Sequence, residues 1–519
     1  MKTEAKNEQE KTRIAVLGCY FIDRRVTVPV GQLWSEHRYL GNFRSFLAYD
    51  PGCHRDQEYL AAFYAKTKRR TKMKKRDIII VMAVIAFGLI YNAIKSGEFD
   101  IRFHKGVPVT AWQLTDKSYP NDFAGEEIKY DQVDKIEISN LAGDIEVEKA
   151  ALAADAANEP GIRIYPTIRV YHRNKKEAEE INKKIKINHV LSTETIKTGN
   201  VPGKNEQQKV RIEVTSLEDF PLGRARVRFK VVIPGTEELE LRNSYGDIVV
   251  DGCGKNIYLD GKHGDISVKH VDSAVEILHK NGRVVVTDVQ NNVDLSARNS
   301  TVRVNNVSGL KLTCSLADVE INQVENKVEI ENAAYSDIIM DQGNEFYADG
   351  RHTKYRLKNI KGSAQINNSH KSITMENIQG NIHINAKNCK INLDQINSGD
   401  VVIKNAYNTV TIDKISAENL EVLMNNGDLD IAFDQIKEKL DIKNSHSKVT
   451  LIYPSSAQPV FNIEARYGSV TNRTSQELVV LKERERELVT SSRLEGKPKI
   501  TIDTAYGDIV LETRDQKDI

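Results

Sequence analysis

The sequence predicts an all-β fold: a β-solenoid, parallel β-helix-like with about 18–20 residues per coil, preceded by one N-terminal transmembrane helix. Three observations carry this expectation. A phrase ending in Gly-Asp-Ile returns at a step of 18 residues, an apolar-x-apolar pair returns at half that step, and one uncharged apolar run stands apart from the rest of the chain.

The N-terminal segment, residues 1–77, is basic. It holds 17 Lys/Arg against 9 Asp/Glu, a net of +8, within a 519-residue chain whose totals are 74 and 73. Residues 78–519 therefore carry 57 against 64, a net of −7, and polyanion binding by that part is disfavoured on total charge. Residues 1–72 show little helical or strand periodicity. They read either as a cytoplasmic extension or as the product of an upstream start codon, because Met73-Lys-Lys-Arg-Asp77 before the apolar run resembles the beginning of a signal-anchor protein. Cys19, His37, Cys53 and His54 match zinc ligands by type, but their spacing fits no knuckle.

Residues 78–94 (IIIVMAVIAFGLIYNAI) are 17 residues without a charge. At about 1.5 Å per residue they reach roughly 26 Å, enough to cross a bilayer core. Upstream, Lys66 to Arg76 carries eight cations in eleven residues. The positive-inside rule then places the N-terminus in the cytoplasm and residues 95–519 in the periplasm or outside the cell. The run lacks a small-x-small cleavage site, so it is expected to remain as the anchor of a single-pass inner-membrane protein.

Residues 95–242 read as a stalk and β-cap. Val133 to Val147 already contains one repeat phrase, Gly143-Asp144-Ile145. Stretches 162–172, 209–215 and 224–233 are expected as long strands of an antiparallel sheet, and Asn174 to Lys186 as a short helix or a solvated loop. A cap is needed because a bare solenoid end exposes strand edges.

Residues 243–515 hold the repeats. The first apolar positions run Ile248, Ile257, Ile266, Val275, Val284, Val293, Val302, Leu310, Val319, Val328 and Ile338. The pattern weakens over 340–372, resumes at Ile382, and ends in Ala505-Tyr-Gly-Asp-Ile-Val-Leu511. Apolar residues two apart share one face of a strand, and the Asn, Gly, Asp, Ser and Lys that follow suit a corner. Strands this short bury a face only by stacking coil on coil, on the order of 14 coils here. Each coil is expected to have two nine-residue sides, or those two plus an extra short side. An antiparallel meander is the structural alternative, and it explains the constant step less well.

The order Val232-Ile-Pro-Gly-Thr-Glu-Glu-Leu-Glu-Leu-Arg-Asn-Ser-Tyr-Gly-Asp-Ile248, followed by repeated Gly-Asp-Ile phrases, resembles the bacterial adhesin family of β-solenoid cell-envelope proteins, relatives of the auto-transporter adhesin head (GIN) domain. The apolar run continuing into GLIYNAIKSGEFD is similar to membrane-anchored members of that family. The resemblance spans roughly residues 130–515. It implies a β-solenoid that binds an envelope protein or glycan without catalysis.

Motif searches point the same way. No phosphate loop, H-E-x-x-H helix, nucleophile elbow or EF-hand loop occurs, and the lapses Gly282-Arg283 and Ser300-Thr301 break any calcium β-roll pattern. Asp247 and Asp265, one coil apart, make a carboxylate ladder geometrically possible, but the series continues as Arg283 and Thr301. No catalytic, cofactor-binding or metal-binding residue is assigned, no cofactor is expected, and nucleic acid is not an expected partner. His263, His270 and His279 are expected as surface residues, and Tyr245, Tyr467 and Tyr506 as corner residues packing over the coil edge rather than a binding stripe. Five cysteines, Cys19, Cys53, Cys253, Cys314 and Cys389, show no disulfide spacing.

Three functions follow in order of preference. The first is a membrane-anchored extracytoplasmic scaffold, the second an anti-sigma-like transmembrane regulator with an outer sensor, and the third a polysaccharide-active solenoid enzyme.

Overall fold

The computed structural model describes residues 100–104, 107–111, 119–150, 161–196, 205–215, 217–220, 223–484, 487–492, 496 and 498–515. The chain divides into two units, Met1–Thr115 and Asp116–Ile519. In the first unit the described residues form one antiparallel hairpin, Asp100–His104 with Val107–Ala111. The expected span at 78–94, and Cys19, His37, Cys53 and His54, lie outside the described residues. Among the described residues no helix is long and apolar enough to cross a membrane.

The second unit is a β-solenoid. Its strands pair in parallel and in register, so the meander alternative fails. One column of first apolar residues can be followed from Ile248 through Ile266, Val284, Val302, Val319, Ile338, Tyr355, Ile373, Ile391, Val410 and Leu429 to Val449. Every member is buried. A second column contains Ile136, Leu239, Ile257 and Val275, continues through Leu310, Val328, Phe346, Ala364 and Ile382, and resumes at Val401, Leu420 and Leu440. Stacked this way, the backbone N–H and C=O groups of the strands pair with the coils above and below, at a rise of about 4.8 Å per coil.

Each coil has three sides, as in the variant with an extra short side. The third column runs Cys253, Val271, Val289, Val307, Val324, Gly343, Ile360, Ile378, Ile396, Ile415 and Phe433. The turn into this side is made by one left-handed residue per coil, with φ of 52° at His270, 55° at Asp288, 54° at Asn306, 57° at Asn359 and 55° at Asn377. Asn and Asp tolerate that conformation better than branched residues do. Their side chains link successive coils: Asn306 Nδ2 donates to Asp288 Oδ1 at 2.5 Å, and Asn377 Nδ2 to Asn359 Oδ1 at 2.7 Å.

The solenoid is unbroken where the repeat weakens. Over 340–372 the columns are filled by unusual sizes that compensate one another. A Cβ on Gly350 would lie 2.2 Å from Tyr355 Oη, and one on Gly343 would lie 2.0 Å from Met340 Cε. Large and small residues thus interdigitate, with Phe346 edge-on to Tyr355 at 6.1 Å.

Both ends depart from chain order. Near the C-terminus, strands Lys499–Thr504 and Ile509–Arg514 lie between the coil holding Leu440 and Val449 and the coil holding Phe461 and Val470. Near the N-terminus, Lys135–Ala142 and Ile145–Lys149 lie between the coil of Leu239 and Ile248 and strands containing Val210 and Phe229. Antiparallel strands finish each end. Lys186–Ile196 pairs with Asn205–Thr215, and Leu478–Arg484 pairs with Glu487–Ser492. Ile162–His172 pairs antiparallel with Ala225–Ile233, as expected, but the latter also runs parallel to Ile145–Lys149. Lys175–Lys184 is a helix whose N-cap, Asn174, accepts from Lys176 N.

Candidate interaction surface

The corner before each Ile248-type position carries the repeat's polar residues. Five residues ahead of the first buried apolar residue stands a buried polar column: Asn140, Asn243, His279, Asn368, Asn405, Asn444 and Thr504. Each ties down corner carbonyls. Asn243 Nδ2 donates to Gly143 O at 2.7 Å, Asn368 Nδ2 to Thr353 O at 2.7 Å, and Asn405 Nδ2 to Cys389 O at 2.8 Å. Without them these carbonyls would be orphaned inside the bend.

His279 belongs to this column and is not a surface residue. It is 3% exposed, with Nε2 2.8 Å from Gly264 O and Nδ1 2.9 Å from Ser300 Oγ. The imidazole takes the place of an asparagine, and Gly261 on the preceding coil makes the room. Burial holds its pKa below the usual histidine value. His263 and His270 are exposed, as expected. His270 Nδ1 donates to Asp251 Oδ1, 2.7 Å away, and this raises its pKa.

The Gly-Asp phrase is a structural corner. At Gly246 and Gly264 φ is 141° and 131°, and a Cβ would stand 2.1 Å from the carbonyl oxygen of the preceding coil's glycine. Only glycine meets both demands. The aspartates form a ladder to the next coil's backbone: Asp247 N donates to Asp144 Oδ1 at 3.2 Å, Asp265 N to Asp247 Oδ1 at 2.8 Å, and Arg283 N to Asp265 Oδ1 at 2.8 Å. Where glycine lapses, the left-handed residue moves one place earlier, to Asn299, Leu316, Tyr335, His352, His370 and Asn388, at φ of 51–64°.

These earlier residues crown the corner. Three residues before each first apolar position, the side chains project as a ridge: Tyr245 and His263, then Asn281, Asn299 and Leu316, then Tyr335, His352 and His370, then Asn388, Tyr407 and Asn426, then His446, Tyr506 and Tyr467. Rings on adjacent coils stack at the coil rise. Centroids are 4.9 Å apart for Tyr245–His263, 4.8 Å for Tyr335–His352, 4.4 Å for His352–His370, 4.9 Å for His446–Tyr506 and 4.7 Å for Tyr467–Tyr506. Leu316, Tyr335, Tyr407, Tyr467 and Tyr506 are each about half exposed, which is costly for large apolar groups unless something covers them. Tyr245, Tyr467 and Tyr506 lie on the coil edge, but as members of a stacked stripe rather than as isolated corner residues. The sequence reading did not connect them to Tyr335, His352, His370 and His446; the signal that does is the constant offset of three from the next buried residue.

A second feature is a groove of about 560 Å³ on the side holding Leu239 and Ile257, bordered by Glu240, Tyr258, Glu276, Asp294, Lys311 and Glu329 on successive coils. Its charges are largely paired near the N-terminal end. Burial alone would raise the pKa of Glu137, but Lys209 at 2.6 Å and Lys135 at 3.1 Å outweigh it and hold the carboxyl at about 2.

Among the described residues no group of three or more His, Cys, Asp or Glu is placed to hold a metal ion. Cys253, Cys314 and Cys389 are buried free thiols on different coils, and burial pushes Cys314 and Cys389 up to about 11.

Comparison with known proteins adds one family and one structure. Residues 356–512, under a third of the chain, match the family model described as Toastrack DUF4097. This segment begins on the coil of Tyr355 and takes in the interleaved C-terminal coil. A solved structure described as a putative cell adhesion protein from Clostridium sporogenes aligns over 76% of this chain and 100% of its own, at 9% identity and a TM-score of 0.14. No curated protein matches the chain.

Proposed function

We propose that this protein is a non-catalytic, adhesin-like scaffold of the cell envelope, anchored by residues 78–94 with its N-terminus in the cytoplasm and the solenoid in the periplasm or outside the cell. The observation that carries the reading is the corner ridge. It offers half-exposed tyrosines, imidazoles and amides at one residue per coil along a scaffold whose backbone groups are used up internally. Such a surface works by many weak contacts repeated at fixed spacing, so that affinity grows with the length engaged. The Toastrack match over 356–512 supports a solenoid role, and the basic run before residue 78 supports the orientation.

Binding of the full-length chain to isolated cell envelopes tests the proposal. Replacing Tyr335, Tyr407 and Tyr506 together by Ser is expected to lower envelope binding by at least about tenfold while keeping a cooperative thermal transition with only a modestly lower midpoint, since all three side chains are about half exposed and only ring stacking is lost. Full retention of binding by this variant contradicts the ridge as the contact surface.

A further inference from the structure

We infer that the corner of the three coils carrying Tyr355, Ile373 and Ile391 is a binding strip for an acidic polysaccharide, a chain with one carboxylate per sugar. Arg351, Lys354, Arg356, Lys371, Lys387 and Lys390 converge there. Parallel pairing sets them out along the corner with neutral residues between: Arg351 and Lys387 flank Ser369 on alternate coils, Lys371 lies beside Cys389, and Lys390 beside Ser372. Among the described residues none of the six is in an ion pair, although Asp337 and Asp349 border the strip. Cations on neighbouring flanks behave differently, with Lys358 paired to Glu376 at 2.8 Å and Lys311 to Glu331 at 3.2 Å. Two buried polar atoms at the strip, Arg356 Nε and His370 Nδ1, also have no hydrogen-bond partner.

Like charges without carboxylate partners along one corner leave a positive local field that a bound anion neutralises. The crowding is visible at His352: burial first, then the charges of His370, Arg351 and Lys371, hold its pKa below the usual value. Total charge therefore misleads for this part of the chain, because a net of −7 spread over 442 residues conceals a local cationic strip. The stacking of Tyr335, His352 and His370 favours a glycan over a single-stranded nucleic acid. Their faces are used on each other, leaving ring edges that hydrogen-bond hydroxyls but offer no platform for bases. Cations at equivalent corner positions, Arg351 and Lys387, recur on every second coil, about 9–10 Å apart, a step that a linear anionic chain with regularly spaced carboxylates can follow.

The glycan class rests on reading the solenoid as an envelope scaffold; the anion site does not. Titrating the full-length chain with oligogalacturonate tests it. The expected result is binding that weakens as salt is raised and falls at least about tenfold in the variant Lys371→Gln, Lys387→Gln, Lys390→Gln, with Lys311→Gln without effect. The three replaced lysines are exposed, so an unchanged thermal midpoint separates lost binding from lost fold. No binding by the unaltered chain, or binding indifferent to the triple variant, overturns the site. Equal competition by single-stranded DNA or polyphosphate overturns the glycan assignment. Because the titration is done in solution, it reads the strip whether or not the protein proves to lie in the envelope.

Discussion

At the scale of single residues, the account turns on side chains that look ordinary in the sequence. Tyr355 fills a column position otherwise held by Ile, Val or Leu, and Gly350 gives it space. Gly350→Ala drives a methyl into the phenol oxygen and is expected to cost about 1–3 kcal/mol in chemical denaturation. Tyr355→Phe removes a hydroxyl that has no protein partner, so it is expected to be neutral or slightly stabilising and to recover much of the Gly350→Ala loss in the double variant. His279 gives a pH signature. Its folded pKa is depressed, so the unfolded chain takes the proton first as pH falls below about 6.5. The stability it contributes is present above that value and lost as pH falls toward the folded pKa. His279→Asn is expected to keep stability at neutral pH and to flatten the decline between neutral and mildly acidic pH in urea midpoints. His270, raised by Asp251, opposes this trend and is unaffected by the change.

At the scale of the element, the repeating unit is a coil whose corner is set by a buried amide five residues before a buried apolar residue. Asn405→Ala leaves Cys389 O without its donor, and Asn405→Asp places an acceptor against it. Both are expected to lower stability, by about 1–3 kcal/mol for alanine and by more for aspartate, readable as shifts in the denaturation midpoint. Much of this element is legible in the sequence. The step of 18, the paired apolar residues and the turn-forming Asn, Gly and Asp predict stacked parallel strands, and the place of Asp247 and Asp265 just before each strand suits acceptors of backbone N–H, which is how they are used. The buried role of Asn243, Asn405 and His279 is not legible from residue type, because polarity alone reads as surface. Weak repeats over 340–372 mislead for a similar reason: a periodicity of Ile, Val and Leu misses Phe346, Tyr355 and two glycines that together fill the same volume.

At the scale of the whole solenoid, the interleaved ends were beyond a linear reading, since the step along the chain says nothing about a later coil inserting between two earlier ones. His446, Tyr506 and Tyr467 are neighbours only because Lys499–Arg514 does so. The insertion carries the ridge through Tyr506 to Tyr467, and the outer edge of Val460–Arg466 beyond it is covered by the antiparallel strand Glu487–Ser492. The ridge's use depends on the compartment it faces, and the native thiols allow a direct reading of that. Cys253, Cys314 and Cys389 are buried, whereas Cys19 and Cys53 precede the expected span. The most direct measurement is labelling of Tyr407→Cys in whole cells, with the outer barrier opened and the inner membrane intact, using a membrane-impermeant maleimide. The account predicts that the full-length variant is labelled and the unaltered chain is not. Labelling of the variant only after the inner membrane is broken would contradict it.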